Sequence, residues 1–283
     1  MFKKEISEFI KSLSLQHDIM GSPEILDGIF IDYYLPALNR ALLFHAIEEA
    51  ANDQKWALHR ITHSDQIIQI IHVWEDQWRF QRKKVESRIL SMLGITKRIH
   101  GRETEIITID NDQLVNFLDE NHMNVPIKAK YKYGLKKNQE LVAVMSFSKG
   151  RPMIRNNEAF NSFELLRFCN KLNLTVVGGF SKLLNHFIKK FNPDDIMTYV
   201  DADWSDGQSF LSNGFKLMET MPLMEFWLNI QTGEREYPHL ALKKLKKTMD
   251  IHMSETEKNS FLHKHGYTEV YNSGSYKYIF MRK

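Results

Sequence analysis

The chain has 283 residues, of which 43% are hydrophobic and 26% are charged. That mixture supplies enough apolar side chain for one large core or two ordinary ones, and it differs from the composition of a disordered chain. The formal net charge is only +3, so a surface that binds an anionic polymer must come from local clusters of basic residues. The single cysteine, Cys169, excludes an internal disulfide framework and a zinc site built from several cysteines.

The N-terminal segment carries no export signal that we recognise. Residues 1–15 alternate charged with apolar side chains and lack the uninterrupted apolar run of a signal peptide. No stretch of the sequence approaches the ~20 apolar residues that a membrane-spanning helix requires. We therefore expect a cytoplasmic protein that does not associate with membranes.

The first hundred residues predict a helix, a hairpin, a second helix, a strand and a third helix. The predicted bounds are a helix over 2–13, strands over 28–35 and 41–44 with a turn at 36–39, a polar helix over 48–63, a strand over 66–74 and a basic helix over 77–93. The strand over 66–74 (QIIQIIHVW) has apolar residues on both of its faces, at six of its nine positions, which predicts burial on both faces.

A basic, glycine-containing segment over residues 97–102 interrupts this pattern, and we place the domain boundary there, between residues 97 and 98. The second part predicts strands over 105–109, 131–135, 140–147, 163–169 and 194–200, helices over 113–120, 180–191, 208–213 and 241–249, further strands between 214 and 228, and a closing hairpin from 267–271 and 276–280. The sequence thus predicts an α+β protein with domains at residues 1–97 and 98–283.

Two strings in the first part carry a family resemblance. GIFIDYYLPALNRALLF at residues 28–44 and IIQIIHVWEDQW at residues 67–78 together resemble the nuclease core of phage homing endonucleases related to very-short-patch-repair endonucleases. These belong to the PD-(D/E)XK fold, so the resemblance, over residues 5–95, implies a restriction-endonuclease-like N-terminal domain. In that family the hairpin supplies acidic residues that hold a divalent metal, which polarises the phosphoryl oxygen during hydrolysis.

Two acidic positions of that family are apolar in this chain. Asp32 matches the family's aspartate, but the position two residues before it is Phe30 and the second acidic position is Leu43. Hydrocarbon side chains cannot ligate Mg²⁺, so we expect a degenerate nuclease domain without a divalent metal. Glu75 and Asp76 match the family's acidic pair and, with Asp32, would form at most a vestigial metal site. The alternative is that the pair stabilises the start of the following helix electrostatically.

The second part resembles the C-terminal domain of those same phage endonuclease-like proteins, over about residues 105–283. The resemblance rests on LVAVMSFSKGR at 141–151, FELLRFCNKLNLTVVGGFSKLLNHFIKKF at 163–191 and YVDADWSDGQSFLSNGF at 199–215. That domain is similar to the GNAT acyltransferase fold and, more remotely, to the Mom DNA-modification proteins. It implies a GNAT-like mixed-sheet domain that uses acyl-CoA or a related donor, in a bacterium that carries a phage or prophage.

A pair of glycines lies between a predicted strand and a predicted helix. Gly178 and Gly179 would leave backbone N–H groups at a helix N-terminus to receive a pyrophosphate, as an acyl-CoA enzyme requires. The alternative is that these glycines only let the helix pack close to the sheet. Asn213-Gly214-Phe215 also resembles the end of the GNAT pattern Y-x-x-x-GF. The predicted cofactor-binding residues are Val177, Gly178, Gly179, Ser181 and Lys182.

The candidate catalytic residues follow from the same resemblance. Asp201 would lie at the carboxyl end of a strand, where it could act as a general base or orient a substrate. Trp204 is equally compatible with a core aromatic and with a stacking platform. The family's two arginines after the aspartate are Ala202 and Asp203 here, which should weaken contact with an anionic substrate. The predicted catalytic set is Asp201, Trp204, Ser205, His122 and Arg167.

Basic residues gather at several places in the second part, and DNA is the partner that the family favours. Such clusters form either an electrostatic surface for nucleic acid or an ordinary solvated face. The predicted nucleic-acid-binding residues are Lys97, Arg98, Arg102, Lys128, Lys130, Lys132, Lys149 and Arg151.

Three functions stay open at this point. The first is a phage or mobile-element DNA-associated protein whose GNAT-like domain is a candidate acyltransferase for nucleic acid or a small substrate. The second is a metal-dependent homing-type DNA endonuclease built on Asp32, Glu75 and Asp76. The third is a non-catalytic nucleic-acid-binding or interaction protein.

Overall fold

A computed structural model of the chain describes residues 1–17, 20–48, 59–155, 158–245 and 254–282. The helices are α1 (Phe2–His17), α2 (Glu75–Phe80), α3 (Arg82–Met92), α4 (Asn111–Asn121), α5 (Gly179–Phe191), α6 (Gln208–Leu211), α7 (Pro238–Leu245) and α8 (Glu255–Lys264). The strands are β1 (Ser22–Leu26), β2 (Ile29–Leu35), β3 (Arg40–His45), β4 (Arg60–His63), β5 (Gln66–Trp74), β6 (Lys97–His100), β7 (Glu105–Thr108), β8 (Tyr131–Lys137), β9 (Glu140–Phe147), β10 (Arg151–Arg155), β11 (Glu158–Asn170), β12 (Leu174–Val177), β13 (Asp195–Asp201), β14 (Phe215–Met221), β15 (Met224–Asn229), β16 (Arg235–Glu236), β17 (Tyr267–Asn272) and β18 (Ser275–Met281).

The chain forms two compact units that interleave along the sequence. The first unit comprises Met1–Arg82, Asp201–Asp206 and Met221–Ser275, and the second comprises Lys83–Val200, Gly207–Thr220 and Tyr276–Lys283. This division differs from the sequence-based boundary between residues 97 and 98. The difference arises because two late segments pack with the N-terminal part, while nearly all of α3 belongs to the second unit. The α+β class expected from the sequence is confirmed.

The first unit contains a five-stranded sheet in the order β1-β2-β3-β5-β4. β3 and β5 run parallel, whereas the other neighbours are antiparallel. The predicted first helix, the hairpin and the strand over 66–74 are confirmed. The predicted helix over 48–63 is wrong for Arg60–His63, which form β4 against β5, and residues 49–58 lie outside the described ranges.

α1 forms because its apolar residues recur every three or four positions and so share one face. Phe2, Ile6, Ile10 and Leu13 on that face are all buried. Phe2 meets Phe44 of β3 edge to face, with ring centroids 6.2 Å apart. Burial of this face, and not helix propensity alone, is what stabilises a helix of this length.

Leu43 points into the apolar core of the first sheet. It is buried in a cluster whose other members are Leu26, Ile31, Ala41, Ile61, Ile68 and Ile70. A carboxylate at this position would be desolvated among hydrocarbon side chains, which is costly unless the charge is paired. The leucine is therefore part of the packing, whereas Phe30, the other substituted position, is 50% exposed.

A buried carboxylate joins the late segments of the first unit to its sheet. Asp203 is fully buried, and its oxygens accept hydrogen bonds from the indole N–H of Trp74 at 3.0 Å and from the backbone N–H of Ser273 at 2.8 Å. The hydroxyl of Ser273 also donates to it. Burial raises the pKa of Asp203, and these donors act in the opposite direction by stabilising its charged form.

A second buried link lies beside the first. The guanidinium of Arg235 donates two hydrogen bonds to the carboxylate of Asp76, at 2.6 and 2.8 Å, and a third to the carbonyl oxygen of Tyr271 at 3.2 Å. Bidentate pairs of this kind are strong and directional. The start of α2, the end of β17 and the short strand β16 are thereby held together.

The second unit contains a long mixed sheet in the order β14-β18-β13-β11-β9-β8-β7, with β10 paired to β11. β6 and β12 form a separate parallel pair. The predicted closing hairpin is wrong, since β17 pairs with β15 and β18 joins the long sheet. The chain changes sheets at Ser273-Gly274, where Ser273 is bonded to Asp203 and a Cβ on Gly274 would lie 2.3 Å from the carbonyl oxygen of Met221.

Helices cover both faces of this sheet. On one face, Phe187 of α5 stacks on Phe147 of β9 with ring centroids 3.6 Å apart. On the other, α4 packs in a buried cluster made of Ile109, Leu114, Phe117, Leu118, Ala129, Val144 and Cys169. We call these the α5 face and the α4 face. Within the described ranges, every helix is too short or too polar to span a lipid bilayer.

Removal of the Asp203 carboxylate should destabilise the first unit. In an Asp203→Ala variant the N–H groups of Trp74 and Ser273 lose a buried charged acceptor, so we expect the free energy of unfolding to fall by about 3 kcal/mol. The tryptophans of the described ranges all lie in the first unit, so urea unfolding followed by tryptophan fluorescence reports on that unit. Glu234→Ala is the control, because its exposed carboxylate in the same unit pairs with the exposed ammonium of Lys244 at 3.1 Å and should contribute less than ~1 kcal/mol. Equal losses in the two variants would contradict the anchoring role of Asp203.

Candidate functional site

Two neighbouring parallel strands of the long sheet are paired over only part of their length. β11 and β13 are in register at Ser162↔Asp195, Phe163↔Ile196 and Glu164↔Met197. The Thr198 hydroxyl then donates to the carbonyl oxygen of Leu165 at 2.9 Å, and no further backbone pair joins the two strands in the part of the chain that the structure describes. Both strands continue beyond this point, so their carboxyl ends are not paired with each other in the described ranges, and we call this unpaired region the β11–β13 gap.

β11 carries a bulge where the gap begins. Leu165 is opposite Phe147 of β9, but the next pair is Arg167↔Ser146, so Leu166 is an extra residue. A bulge changes the direction of neighbouring side chains and is common beside functional sites. Arg167 therefore lies at the point where β11 loses its partner on one side.

The N-terminus of α5 follows the Gly178-Gly179 pair. Gly178 has φ +75°, a left-handed conformation, and the first intrahelical bond runs from the N–H of Lys182 to its carbonyl oxygen at 3.0 Å. A Cβ on Gly178 would meet nothing within 4 Å, whereas one on Gly179 would lie 2.9 Å from Val176. Gly179 thus serves close packing, as one alternative held, while Gly178 leaves open space over the backbone. The first turn of the helix contains no acidic residue.

Lys182, a predicted cofactor ligand, is committed to the protein itself. Its ammonium donates to the carbonyl oxygen of Gly101 at 2.9 Å and also to the carbonyl oxygen of Thr104. Val177 is the last residue of β12 and is paired with His100 of β6. Both residues hold the first turn of α5 in place, while Ser181 lies half-buried on that turn.

Aromatic residues that the sequence analysis did not select lie beside the first turn of α5. Phe180 contacts Phe168 of β11 and Phe210 of α6 edge to face, with centroids 5.1 and 5.0 Å apart. Phe210 in turn stacks on Tyr278 of β18 at 5.8 Å. Phe210 stands at the tyrosine position of the Y-x-x-x-GF pattern, so no hydroxyl is present there. These rings come from separate elements, and no spacing in the sequence would have joined them.

His122 is held as a neutral imidazole. Its Nδ1 accepts the backbone N–H of Asn124 at 3.0 Å, which places the ring proton on Nε2. Burial, together with the charges of Arg167 and Arg88, lowers the pKa of His122 to about 3. A group with so low a pKa is a weak general base at neutral pH. This pKa therefore does not favour His122 as the residue that takes a proton from a substrate.

The other predicted catalytic residues lie in the first unit and form a turn. The carboxylate of Asp201 accepts the N–H of Asp203 at 3.0 Å, and its carbonyl oxygen accepts the N–H groups of Trp204 and Ser205. Trp204 is only 8% exposed, which agrees with the core-aromatic alternative. The charge of Asp203 is turned into the core, so the expectation that it weakens contact with an anionic substrate does not apply.

The three predicted metal-binding carboxylates each have a protein partner. The described residues contain no group of three or more His, Cys, Asp or Glu side chains that could hold a metal ion. Glu75 and Asp76 occupy the first turn of α2, in agreement with the helix-stabilising alternative. The partners are the backbone N–H of Phe44 for Asp32 at 2.8 Å, Arg79 for Glu75 at 2.5 Å and Arg235 for Asp76.

The predicted nucleic-acid residues fall into two groups at opposite ends of β8, a seven-residue strand, which spans roughly 20 Å. At the start of β8, Tyr131 pairs with Phe147 of β9, so the basic residues next to these two positions lie at the same end of the strand. At the other end, Lys136 pairs with Glu105 of β7, and the second group of basic residues lies near this pair. Lys132 is partly engaged, since its ammonium donates to the carbonyl oxygen of Ala129. The first group is Lys128, Lys130, Lys132, Lys149 and Arg151, and the second is Lys97, Arg98 and Arg102.

No family model matches the sequence, and no curated protein is significantly similar to it. Among solved structures, the chain is similar to an acetyltransferase from Corynebacterium glutamicum, with 17% identity over 42% of this chain and 88% of that chain and a TM-score of 0.33. It is also similar to a Bacillus subtilis acetyltransferase in complex with CoA, with 15% identity over 64% of this chain and 99% of that chain and a TM-score of 0.34. A GNAT family acetyltransferase from Elizabethkingia anophelis with acetyl-CoA bound gives 11% identity, 64% and 99% coverage and a TM-score of 0.34. Scores of this size assign neither a fold nor a function, and the nuclease-like first domain stays a prediction.

The low pKa of His122 predicts a specific pH dependence. The unfolded chain binds a proton at this histidine below about pH 6.5, whereas the folded chain does not until about pH 3. The free energy of unfolding should therefore fall as the pH drops from about 6.5 towards 3, and His122→Gln should remove part of that fall. In NMR spectra, the signals of the His122 imidazole are identified as those that His122→Gln lacks. In the wild-type protein these signals should not shift between about pH 5 and 8. A midpoint inside that range would contradict the neutral assignment.

Proposed function

We propose that the second unit transfers an acyl group from acyl-CoA or a related donor. The observation that carries this proposal is the β11–β13 gap beside the N-terminus of α5. A strand edge without a partner presents N–H and C=O groups that an amide-containing pantetheine arm can pair with. The N-terminus of a helix presents N–H groups and a positive dipole end, which suit a pyrophosphate.

The residues around this place fit such a donor. Open space over Gly178 admits close approach of a phosphate to the backbone, and no carboxylate in the first turn of α5 opposes it. Phe168, Phe180 and Phe210 offer apolar surface beside that turn. Ser181 adds a hydroxyl, and Lys182 fixes the helix through its bonds to Gly101 and Thr104. When bound, the donor supplies an acyl carbon activated by its thioester.

The contribution of the protein is then positioning more than proton transfer. Arg167 is cationic and His122 is a weak base, so neither readily takes a proton from an acceptor. Holding two reactants in a productive geometry is by itself a large contribution to rate. The bulge at Leu166, at the beginning of the gap, is the feature of the strand that would set this geometry.

For the first unit we propose a DNA-docking role without cleavage, in a phage-associated protein of the bacterial cytoplasm. The proposal rests on the resemblance of residues 5–95 to a nuclease core, together with the burial of Leu43 and the protein partners of Asp32, Glu75 and Asp76. A site with too few oxygen donors does not hold the metal that hydrolysis requires.

The donor site can be tested by placing one negative charge at the helix N-terminus. With acetyl-CoA at 100 times its dissociation constant, the wild-type protein should gain about 2.7 kcal/mol, which raises its melting temperature. Ser181→Glu should weaken acetyl-CoA binding at least about tenfold by repelling the pyrophosphate, while favourable interaction with the helix dipole preserves the fold.

Asn185→Glu is the matched control, because it adds the same charge to an exposed position in the middle of α5. It should leave acetyl-CoA binding within about twofold, given the screening of exposed charges. No stabilisation of the wild type by acetyl-CoA or CoA would contradict the proposal.

Nucleic-acid binding can be tested by reversing charges at the two ends of β8. We expect Lys130→Glu with Lys149→Glu to weaken binding of duplex DNA, because that end carries the larger group of basic residues. The slope of log K against log salt should decrease by about 1 for each lost phosphate contact. Lys97→Glu with Arg98→Glu is the control with the same change of charge. Fluorescence anisotropy that shows equal effects from both pairs, or no salt dependence, would argue against a DNA surface at the Lys130 end.

A further inference from the structure

The α4 face of the long sheet carries a polar patch beside the β11–β13 gap. Cys169 of β11 packs in the cluster under α4, and Leu166 packs against the same cluster. Arg167 is two residues from Cys169 and so points to the same face, opposite Ser146 of β9. Phe168, between them, contacts α5 on the other face.

The patch contains a buried hydroxyl group, that of Ser146, whose hydrogen-bonding capacity is not used by the described residues. Ser146 is fully buried, and its oxygen has no hydrogen-bond partner among the described residues. Buried hydroxyls are normally paired, and an exception calls for an explanation. The guanidinium of Arg167 donates to the carbonyl oxygen of Leu166 at 2.8 Å.

Helix α3 brings two more cations to the same place. Lys84 and Arg88 are four residues apart, so they share one face of the helix. Both act electrostatically on Cys169 and on His122. The Ser87 hydroxyl accepts the backbone N–H of Asn173 at 2.8 Å, which ties the helix to the turn after β11.

The charges at this place are predominantly positive. Burial lowers the pKa of Lys84, and the nearby carboxylate of Asp119 acts in the opposite direction. His122 is the neutral group in the patch. Because its Nδ1 accepts the backbone N–H of Asn124, the ring proton is on Nε2, which can donate a hydrogen bond. Arg88 is exposed, whereas Lys84 and Arg167 are partly buried. Cations that lie close together repel one another, and an anion bound among them reduces that repulsion.

We propose that the acceptor of the acyl group is a small molecule carrying a carboxylate or phosphate, which binds to Arg167 and Arg88 with Lys84 and His122 completing the site. The inference rests on the proposed function. The donor would lie against the α5 face and the acceptor against the α4 face, so the two meet at the β11–β13 gap. Guanidinium groups suit both anions because their donors match a pair of oxygens.

The transfer itself balances without a further reactant. The nucleophilic atom of the acceptor forms a bond to the acyl carbon, and the bond from that carbon to sulfur breaks. The electron pair of the broken bond stays on sulfur, and the proton lost by the acceptor ends on the thiol of CoA.

Isothermal titration calorimetry with succinate and with inorganic phosphate tests this site. The titrations are run on the full chain with CoA in excess, so that phosphate sites used by CoA are occupied. Arg88→Gln and Arg167→Gln should each weaken binding of the preferred anion about 10- to 100-fold, since each removes a charge-assisted hydrogen bond. Lys83→Gln, an exposed position on the same helix, is the control and should change binding less than about twofold.

The outcomes separate this inference from the proposed function. Anion binding that is lost in the two arginine variants and kept in Lys83→Gln supports the site, and the stronger of the two probes identifies carboxylate or phosphate. Binding that is unchanged in Arg88→Gln and Arg167→Gln, or that is absent in the wild type, overturns it. If anions bind in this way but CoA does not stabilise the protein, the anion site stands and the acyl-transfer role fails. Melting temperatures of the variants without ligand show whether each one is folded.

Discussion

The carboxylate of Asp203 is the group on which the first unit depends. It lies in a segment far along the chain, yet it accepts hydrogen bonds from Trp74 of β5 and from Ser273 at the end of β17. A buried carboxylate is stable only when its oxygens accept hydrogen bonds, and buried N–H groups likewise need an acceptor. Loss of Asp203 or of its donors would therefore leave the other groups buried without a hydrogen-bond partner. Together with the pair Arg235–Asp76, this network makes one compact unit out of three separate stretches of sequence.

The same segment contains the YVDADWS motif. The resemblance implied a catalytic set at Asp201, Trp204 and Ser205, and in the structure the motif forms a turn in which Asp201 accepts backbone hydrogen bonds and Trp204 is buried, so the catalytic role of these residues stays a prediction. The groups on which our proposed donor and acceptor sites rest lie in the second unit. They are the open end of the β11–β13 pair, the first turn of α5 and the basic residues on the α4 face.

Electrostatics gives the proposed site its character. On the α5 face, backbone N–H groups at a helix N-terminus offer partial positive charge without a cationic side chain, since Lys182 is bonded to Gly101 and Thr104. On the α4 face, Arg167, Arg88 and Lys84 offer full charges, and His122 stays neutral because burial, together with these charges, lowers its pKa. Both faces are therefore suited to anions, which agrees with a donor that contains phosphates and with an acidic acceptor.

The sequence by itself determined the elements whose signal is local. The apolar spacing of α1, the hairpin of β2 and β3, the run that forms β5, the strands β8 and β9 and the glycines before α5 were all predicted, because each depends on residues close together in the chain. So was the lack of oxygen donors at Phe30 and Leu43. Only the tertiary structure decided how the units divide the chain, that β17 and β18 enter different sheets, and that Lys84, Arg88, His122 and Arg167 share one patch. Those features depend on contacts between residues far apart in sequence, and no periodicity or motif in a single chain encodes them.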